Sequence, residues 1–254
     1  MENIEFRRGA IDAGDCIGCA WELVKRNLGL YLGAGLLTLI LVSCIPCINF
    51  VLFGPIIGGF TFIVLRDMRG EPIDFGMLFK GFDKFLPLMI MGLIQAIPGI
   101  IFQMIQWTSD IAQIFMVPAA SDGNFFQDAE QPLIAVGVII LFIAYFIFQI
   151  VWNFALIFAI PLIMEHNLGV VDAAKISISA VFGNFGGLVI LTLAGTLVAL
   201  LGVVALCVGI FVAIPVVWAA NVVAYRHVFA LDDDDLNSFS RPPAYGSIFG
   251  NDFN

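Results

Sequence analysis

Charge is what this chain has least of. Only 12% of its 254 residues are Asp, Glu, Lys or Arg, and it holds 11 Lys and Arg and 2 His. With so few cations, no basic face for nucleic acid can be assembled. The formal charge of -9 comes largely from Asp110, Asp122, Asp128 and Glu130 and from the run Asp232 to Asp235. No Ser-His-Asp set, phosphate-cradling glycine loop or pair of intramembrane carboxylates can be drawn from the residues present. The reading is therefore of a non-enzyme with no catalytic, cofactor-binding or metal-ligating residues and no cofactor. Arg7 and Arg8 precede a polar stretch rather than an apolar core, so Leu28 onward is expected to act as an uncleaved insertion signal, not as a secretory leader.

What the chain has in excess is apolar surface: 61% hydrophobic residues and a mean hydropathy of +1.01. A soluble domain of this length could not hide so much, and a lipid solvent accounts for it. Crossing a hydrocarbon core of roughly 30 Å takes about 20 residues. Runs of that kind occur at Leu28 to Ile48, Phe85 to Trp107 and Leu133 to Met164. Phe50 to Leu65 follows the first run after Pro46-Cys47-Ile48-Asn49, read as a turn, and makes a second crossing. Gly186 to Phe229 is twice the needed length and divides near Leu206 to Gly209. The expected fold class is all-α: a polytopic membrane bundle of six transmembrane helices with short interfacial amphipathic helices.

Lys and Arg stay on the cytoplasmic side of a membrane. Six crossings place all 11 on one side, while the 25-residue loop from Thr108 to Pro132 carries none and falls outside. Both termini are then cytoplasmic, and the location is a cell inner (plasma) membrane.

The sequence also matches itself at an offset of 160 residues. From Asp12 to Arg66 against Asp172 to Arg226, 11 of 55 pairs are identical, including Asp12 with Asp172, Gly35 with Gly195, Cys47 with Cys207, Pro55 with Pro215 and Arg66 with Arg226. This bias of composition gives about five such pairs by chance. Each unit opens on an Asp suited to cap a helix, crosses twice and ends on Arg. Four crossings separate the two starts, which makes the repeats parallel, in the same orientation. Residues 1–230 are read as one transmembrane domain with repeat units 12–66 and 172–226 and insert spans 85–107 and 133–164. Residues 231–254 are read as an acidic, Pro-containing cytoplasmic tail.

Three polar-border segments have helical apolar spacing. Phe75, Leu78, Phe79 and Phe82 fall at i, i+3, i+4 and i+7, as in a helix lying in the interface or packed on the protein. Segments Asp12 to Arg26 and Asp172 to Asn184 are similar.

Cys16 with Cys19, and Cys44 with Cys47, form two Cys-x-x-Cys pairs. A shared zinc site is opposed by geometry, because the 25 residues from Cys19 to Cys44 span roughly 37 Å of helix. Cys44 and Cys47 alone could form a thiol-disulfide couple, with Cys207 at the matching depth, although no His or Lys lies nearby in sequence to lower a thiol pKa. Intramembrane amides at Gln95, Gln103, Gln106, Gln149, Asn153 and Asn221 read first as interhelical hydrogen bonding and second as a polar pathway. Gly29-x-x-x-Gly33 and Gly54-x-x-x-Gly58 read as close packing faces. Pro55, Pro87, Pro98, Pro161 and Pro215 are expected to kink or end helices. His166 and His227 sit at helix borders beside Glu165 and Arg226 and read as solvated.

The stretch Gly54-Pro55-Ile56-Ile57-Gly58-Gly59, then Arg66, Gly70-Glu71-Pro72 and Leu78-Phe79-Lys80-Gly81-Phe82, resembles a broad group of uncharacterised prokaryotic membrane proteins. The group includes YciC-like proteins and the membrane domain attached to some glycerophosphodiester phosphodiesterases. Pro161 to Glu165 followed by Asp172 to Ser177 is similar to the same group. The resemblance implies a bacterial inner membrane protein and does not carry over phosphodiesterase activity. Three functions follow as expectations: an accessory or scaffold subunit or lipid-organising module, a small-molecule or lipid transporter built on the repeat, and a thiol-disulfide oxidoreductase using Cys44 and Cys47. The expected partners are membrane lipids, with other membrane subunits or a homo-oligomer open alongside, and no nucleic acid.

Overall fold

A computed structural model describes residues 6–43, 46–116, 132–204 and 208–229, and among these every regular element is helical. The helices are α1 (Ala13–Arg26), α2 (Leu28–Ser43), α3 (Pro46–Met68), a 3-10 helix (Phe75–Lys84), α4 (Phe85–Met116), α5 (Pro132–Ala155), α6 (Ala159–His166), α7 (Val170–Gly183), α8 (Phe185–Val204) and α9 (Val208–Val228). Five segments are long and apolar enough to span a membrane: Val51–Met68, Phe75–Trp107, Ile139–His166, Phe185–Val204 and Gly209–Val228. A sixth is reached through α1 and α2, which meet at 103°. So sharp a bend lets α2 run along the bundle beside α3 and α9 while α1 lies across its end.

Local chemistry sets most of the ends. The Asp12 side chain accepts from the free amides of Gly14 (2.8 Å) and Asp15 (3.1 Å), and starts α1. Ala13, Cys16, Ala20 and Val24 then recur at helical spacing and are buried, with Asp15, Glu22 and Lys25 on the open face. Asp74 caps the 3-10 helix through Gly76 (2.7 Å). Asn167, at φ 53°, closes α6 in the left-handed conformation that an Asn tolerates.

Four expectations need correction. Pro46 to Asn49 form the first turn of α3 rather than a connection, which suits Pro46 because the opening amides of a helix have no partner to lose. Asp172 sits inside the first turn of α7 after the N-cap Gly169 and does not cap it as Asp12 caps α1. The stretch from Thr108 to Pro132, read as a loop, begins instead as a continuation of α4 through Met116, while the run from Leu133 to Met164 stays one candidate span and is divided into α5 and α6 where Pro161 was expected to kink it. The phenylalanine segment is a 3-10 helix, in which i and i+3 stack: ring centroids of Phe79 and Phe82 lie 6.1 Å apart, and those of Phe82 and Phe85 6.0 Å. Leu78 is buried while Phe75, Phe79 and Phe82 are exposed, the partition of a helix lying at a membrane surface.

Glycine sets how near α3 comes to its neighbours. A Cβ at Gly54 would collide with the Leu88 carbonyl, one at Gly59 with the Leu78 carbonyl, and one at Gly81 with the Pro55 carbonyl. Gly54 and Gly59 therefore bring the α3 backbone against that of α4 and the 3-10 helix, while Gly58 meets the Leu88 side chain. Gly29 has open space around it, and Gly33 meets only the Phe75 ring, so that pair is no packing face. Residues 7–10 are strapped against the ends of α7 and α9. The Arg7 amide donates to Val228 O (2.8 Å), and buried Asn184 accepts from the Ala10 amide (3.0 Å) and donates to Arg7 O (2.8 Å).

Candidate functional site

The break between α5 and α6 begins with Pro161, which has no amide proton for Ile157 O and whose ring pushes that carbonyl away. The chain tightens instead: the Ile157 amide reaches Phe154 O and the Ala159 amide reaches Leu156 O, both at 3.1 Å. In hydrocarbon the freed groups need partners from neighbouring helices. Fully buried Ser177 of α7 accepts from the Phe158 amide (3.2 Å) and donates to Ala155 O (2.8 Å). Gln95 of α4 donates to Leu156 O (2.9 Å). The same repair occurs where Pro98 leaves Ile94 O without its helical donor, since the Trp152 indole donates there at 2.9 Å. Gln95 thus makes the interhelical bond expected of it.

Beside this break lies a cavity of about 470 Å³, in the range that holds a small ligand. Its walls come from α3 (Phe53, Ile57), the break (Phe154, Ile157, Ile160), α8 (Leu191, Ala199) and α9 (Val217, Trp218), among others. The lining is apolar except for Thr61, Gln95, Asn153, Thr192, Thr196 and Asn221 and the indole of Trp218. Asn153 on α5 and Thr192 and Thr196 on α8 are exposed, so the cleft opens sideways between α5 and α8. Gln103 and Gln106 are exposed elsewhere on α4, and Gln149 accepts from the Tyr145 hydroxyl (3.3 Å).

One end of the bundle is ionic, and the pairing of its carboxylates goes beyond the one-sided placement of Lys and Arg that the sequence implies. Glu165, at the end of α6, accepts from Arg226 Nη1 (2.8 Å) and the Tyr225 hydroxyl (2.7 Å), with Arg69 Nη1 at 3.9 Å. Glu71 holds Arg66 and Arg69 at 2.6 and 3.0 Å, and Arg66 meets it off the hydrogen-bond axis. A third carboxylate, buried Asp67, takes Arg26, Asn27 (3.2 Å) and the Tyr31 hydroxyl (3.0 Å). Lys84 closes α6 by donating to Ile163 O and Met164 O at 2.9 and 2.6 Å. His166 is not solvated: its Nε2 is buried 3.9 Å from Glu165. His227 packs against Cys16, with Nδ1 3.8 Å from the sulfur.

Cys16 and Cys19 are both free thiols. Burial, then the neighbouring Cys19, Asp12 and Asp15, push Cys16 up to about 12, which makes it a poor nucleophile. Cys44 and Cys207, the side chain of Cys47 and the tail 231–254 lie outside the described residues. Among the described residues no group of three His, Cys, Asp or Glu is placed to hold a metal. No family model, curated protein or solved structure matches the chain.

Proposed function

We propose that this is a non-enzymatic integral membrane protein of the lipid-organising kind, holding one apolar chain of a membrane lipid in the cleft between α3, α8, α9 and the α5–α6 break. The observation that carries this reading is the cleft itself: apolar-walled, within the spans, and open sideways between α5 and α8. Its lining has no charged side chain, which favours holding a chain over passing an ion.

The two-repeat plan belongs to the same proposal. It draws support from the walls, because Ile57 and Thr61 of α3 stand opposite their offset mates Val217 and Asn221 of α9 in one cleft. The α2 helix packs on α9, while its counterpart α8 leaves the cleft between itself and α3. A bacterial inner membrane with both termini cytoplasmic fits the gathering of Arg26, Arg66, Arg69, Lys84 and Arg226 at one end.

The test is lipid retention through purification in mild detergent, measured by mass spectrometry. Ala199→Phe puts a ring into the cleft and should lower bound lipid several-fold while leaving the thermal unfolding temperature within a few degrees. Retention equal to that of the unaltered protein, in a folded variant, would remove the reading.

A further inference from the structure

We infer that the lipid in the cleft bears an uncharged hydrogen-bond donor, a hydroxyl of the kind carried by acylglycerols and long-chain alcohols; this rests on the reading that the cleft holds a lipid chain. The ground is how the lining spends its protons. A Thr hydroxyl has one proton to give. Thr61 gives it to Ile57 O (2.8 Å), Thr192 to Leu188 O (2.9 Å) and Thr196 to Thr192 O (2.8 Å), each on its own helix. What remains to any of the three is a pair of acceptor sites.

The amides follow the same pattern. Gln95 donates to Leu156 O (2.9 Å), Asn153 to Gln149 O (2.9 Å) and Asn221 to Val217 O (3.0 Å), so each has committed one N–H and kept its oxygen. The lining thus offers three hydroxyl oxygens and three amide oxygens, against the second hydrogens of three amides and the Trp218 indole.

Acceptors cannot satisfy one another, and leaving them bare in an apolar setting is costly. A ligand with only ester or ether oxygens adds more acceptors and relieves little. A hydroxyl supplies the scarce partner. A phosphate or carboxylate would enter a lining without a counter-charge, which carries a heavy desolvation cost. The polar part of the ligand therefore matches an alcohol, with its chain along Phe53, Ile57 and Leu191.

The test uses the full chain in nanodiscs and two photoreactive probes, a diazirine-bearing long-chain alcohol and its methyl ether, with labelled peptides identified by mass spectrometry. The alcohol should label peptides of α5 or α8 at least fivefold more than the ether. Replacing both Thr192→Val and Thr196→Val should narrow that ratio to below twofold, whereas Thr192→Ser with Thr196→Ser should keep it, which separates lost oxygens from lost fold. Equal labelling by both probes that Ala199→Phe blocks would overturn the alcohol assignment and leave the lipid-holding reading in place. A ratio that survives in the valine variant, or stronger displacement by an acyl phosphate than by unlabelled alcohol, would overturn the assignment too. Labelling that Ala199→Phe does not touch would overturn the lipid-holding reading itself.

Discussion

Ser177→Ala tests whether the break in the fourth span is held by one hydroxyl. The substitution removes the acceptor of the Phe158 amide (3.2 Å) and the donor to Ala155 O (2.8 Å) at a fully buried position. Neither group has an obvious replacement, since the Ala159 amide that a continuous helix would send to Ala155 O is already turned to Leu156 O. A buried polar group left unpaired costs about 1–3 kcal/mol. Interhelical hydrogen bonds in membranes average nearer ~0.6 kcal/mol, because the chain finds other partners in lipid. With two groups stranded at a rigid break, the expected loss is about 1–3 kcal/mol. Reversible unfolding in mixed micelles measures it, and amide exchange at Phe158 should rise by at least tenfold. Pro161→Ala returns an amide to Ile157 O and lets the helix heal, so the cost of Ser177→Ala should shrink in that background by more than about 0.5 kcal/mol, the usual limit of additivity for unconnected sites. A loss below about 0.5 kcal/mol with unchanged exchange at Phe158, or strict additivity with Pro161→Ala, would refute the reasoning.

Three further outcomes are expected. Gly54→Ala and Gly59→Ala drive a Cβ into the backbone of Leu88 and Leu78, and should cost about 1–3 kcal/mol or the folded yield. Gly29→Ala meets open space and should be neutral or stabilising by a few tenths of a kcal/mol, as the same unfolding assay will read. Because Cys16 is pushed up to about 12, roughly one thiol in 10⁴ is ionised at pH 8, and alkylation of Cys16 should rise about tenfold per pH unit below pH 12 while half-buried Cys19 reacts faster. Comparable rates at pH 8, followed by mass spectrometry, would show that Cys16 is open to solvent. Reporters fused after Arg69 and after Lys175 should both report cytoplasm and one inserted near Asn124 the outside; an outside signal after Lys175 would remove the orientation and the parallel repeat together.

Gly29-x-x-x-Gly33 and Gly54-x-x-x-Gly58 share one pattern, and only the second brings backbone against backbone. Gly54 and Gly58 face Leu88, while Gly29 faces nothing, and the difference is in the neighbour rather than in the pattern. Asp67 and Glu165 escaped notice for a related reason. Their partners lie 36 to 41 and 60 to 61 residues away, and a carboxylate at a helix border reads as solvated until those partners are in place. The adjacent pair Tyr225-Arg226 was a usable signal, since a phenol and a guanidinium at one helix end can share one carboxylate. Pro161 was legible as a break, but Ser177 and Gln95 as its repair were not, because a lone Ser or Gln in an apolar run fits many roles.

The spans were determined by sequence alone, since burying about 20 successive apolar residues has one cheap solution in a bilayer, a helix that satisfies its own backbone. The Asp12 cap and the start of α3 at Pro46 are local in the same sense, made by atoms within one turn, although only the cap was read correctly. The cleft was decided by tertiary structure. Thr61, Gln95, Asn153, Thr192 and Asn221 carry no mark of a common site, and they become one only because α8 stands off α3 while Pro161 bends the wall between them. That arrangement depends on which helix faces find glycine or proline opposite, as Gly35 finds Pro215, and a contact of that range cannot be written in any single stretch of the chain.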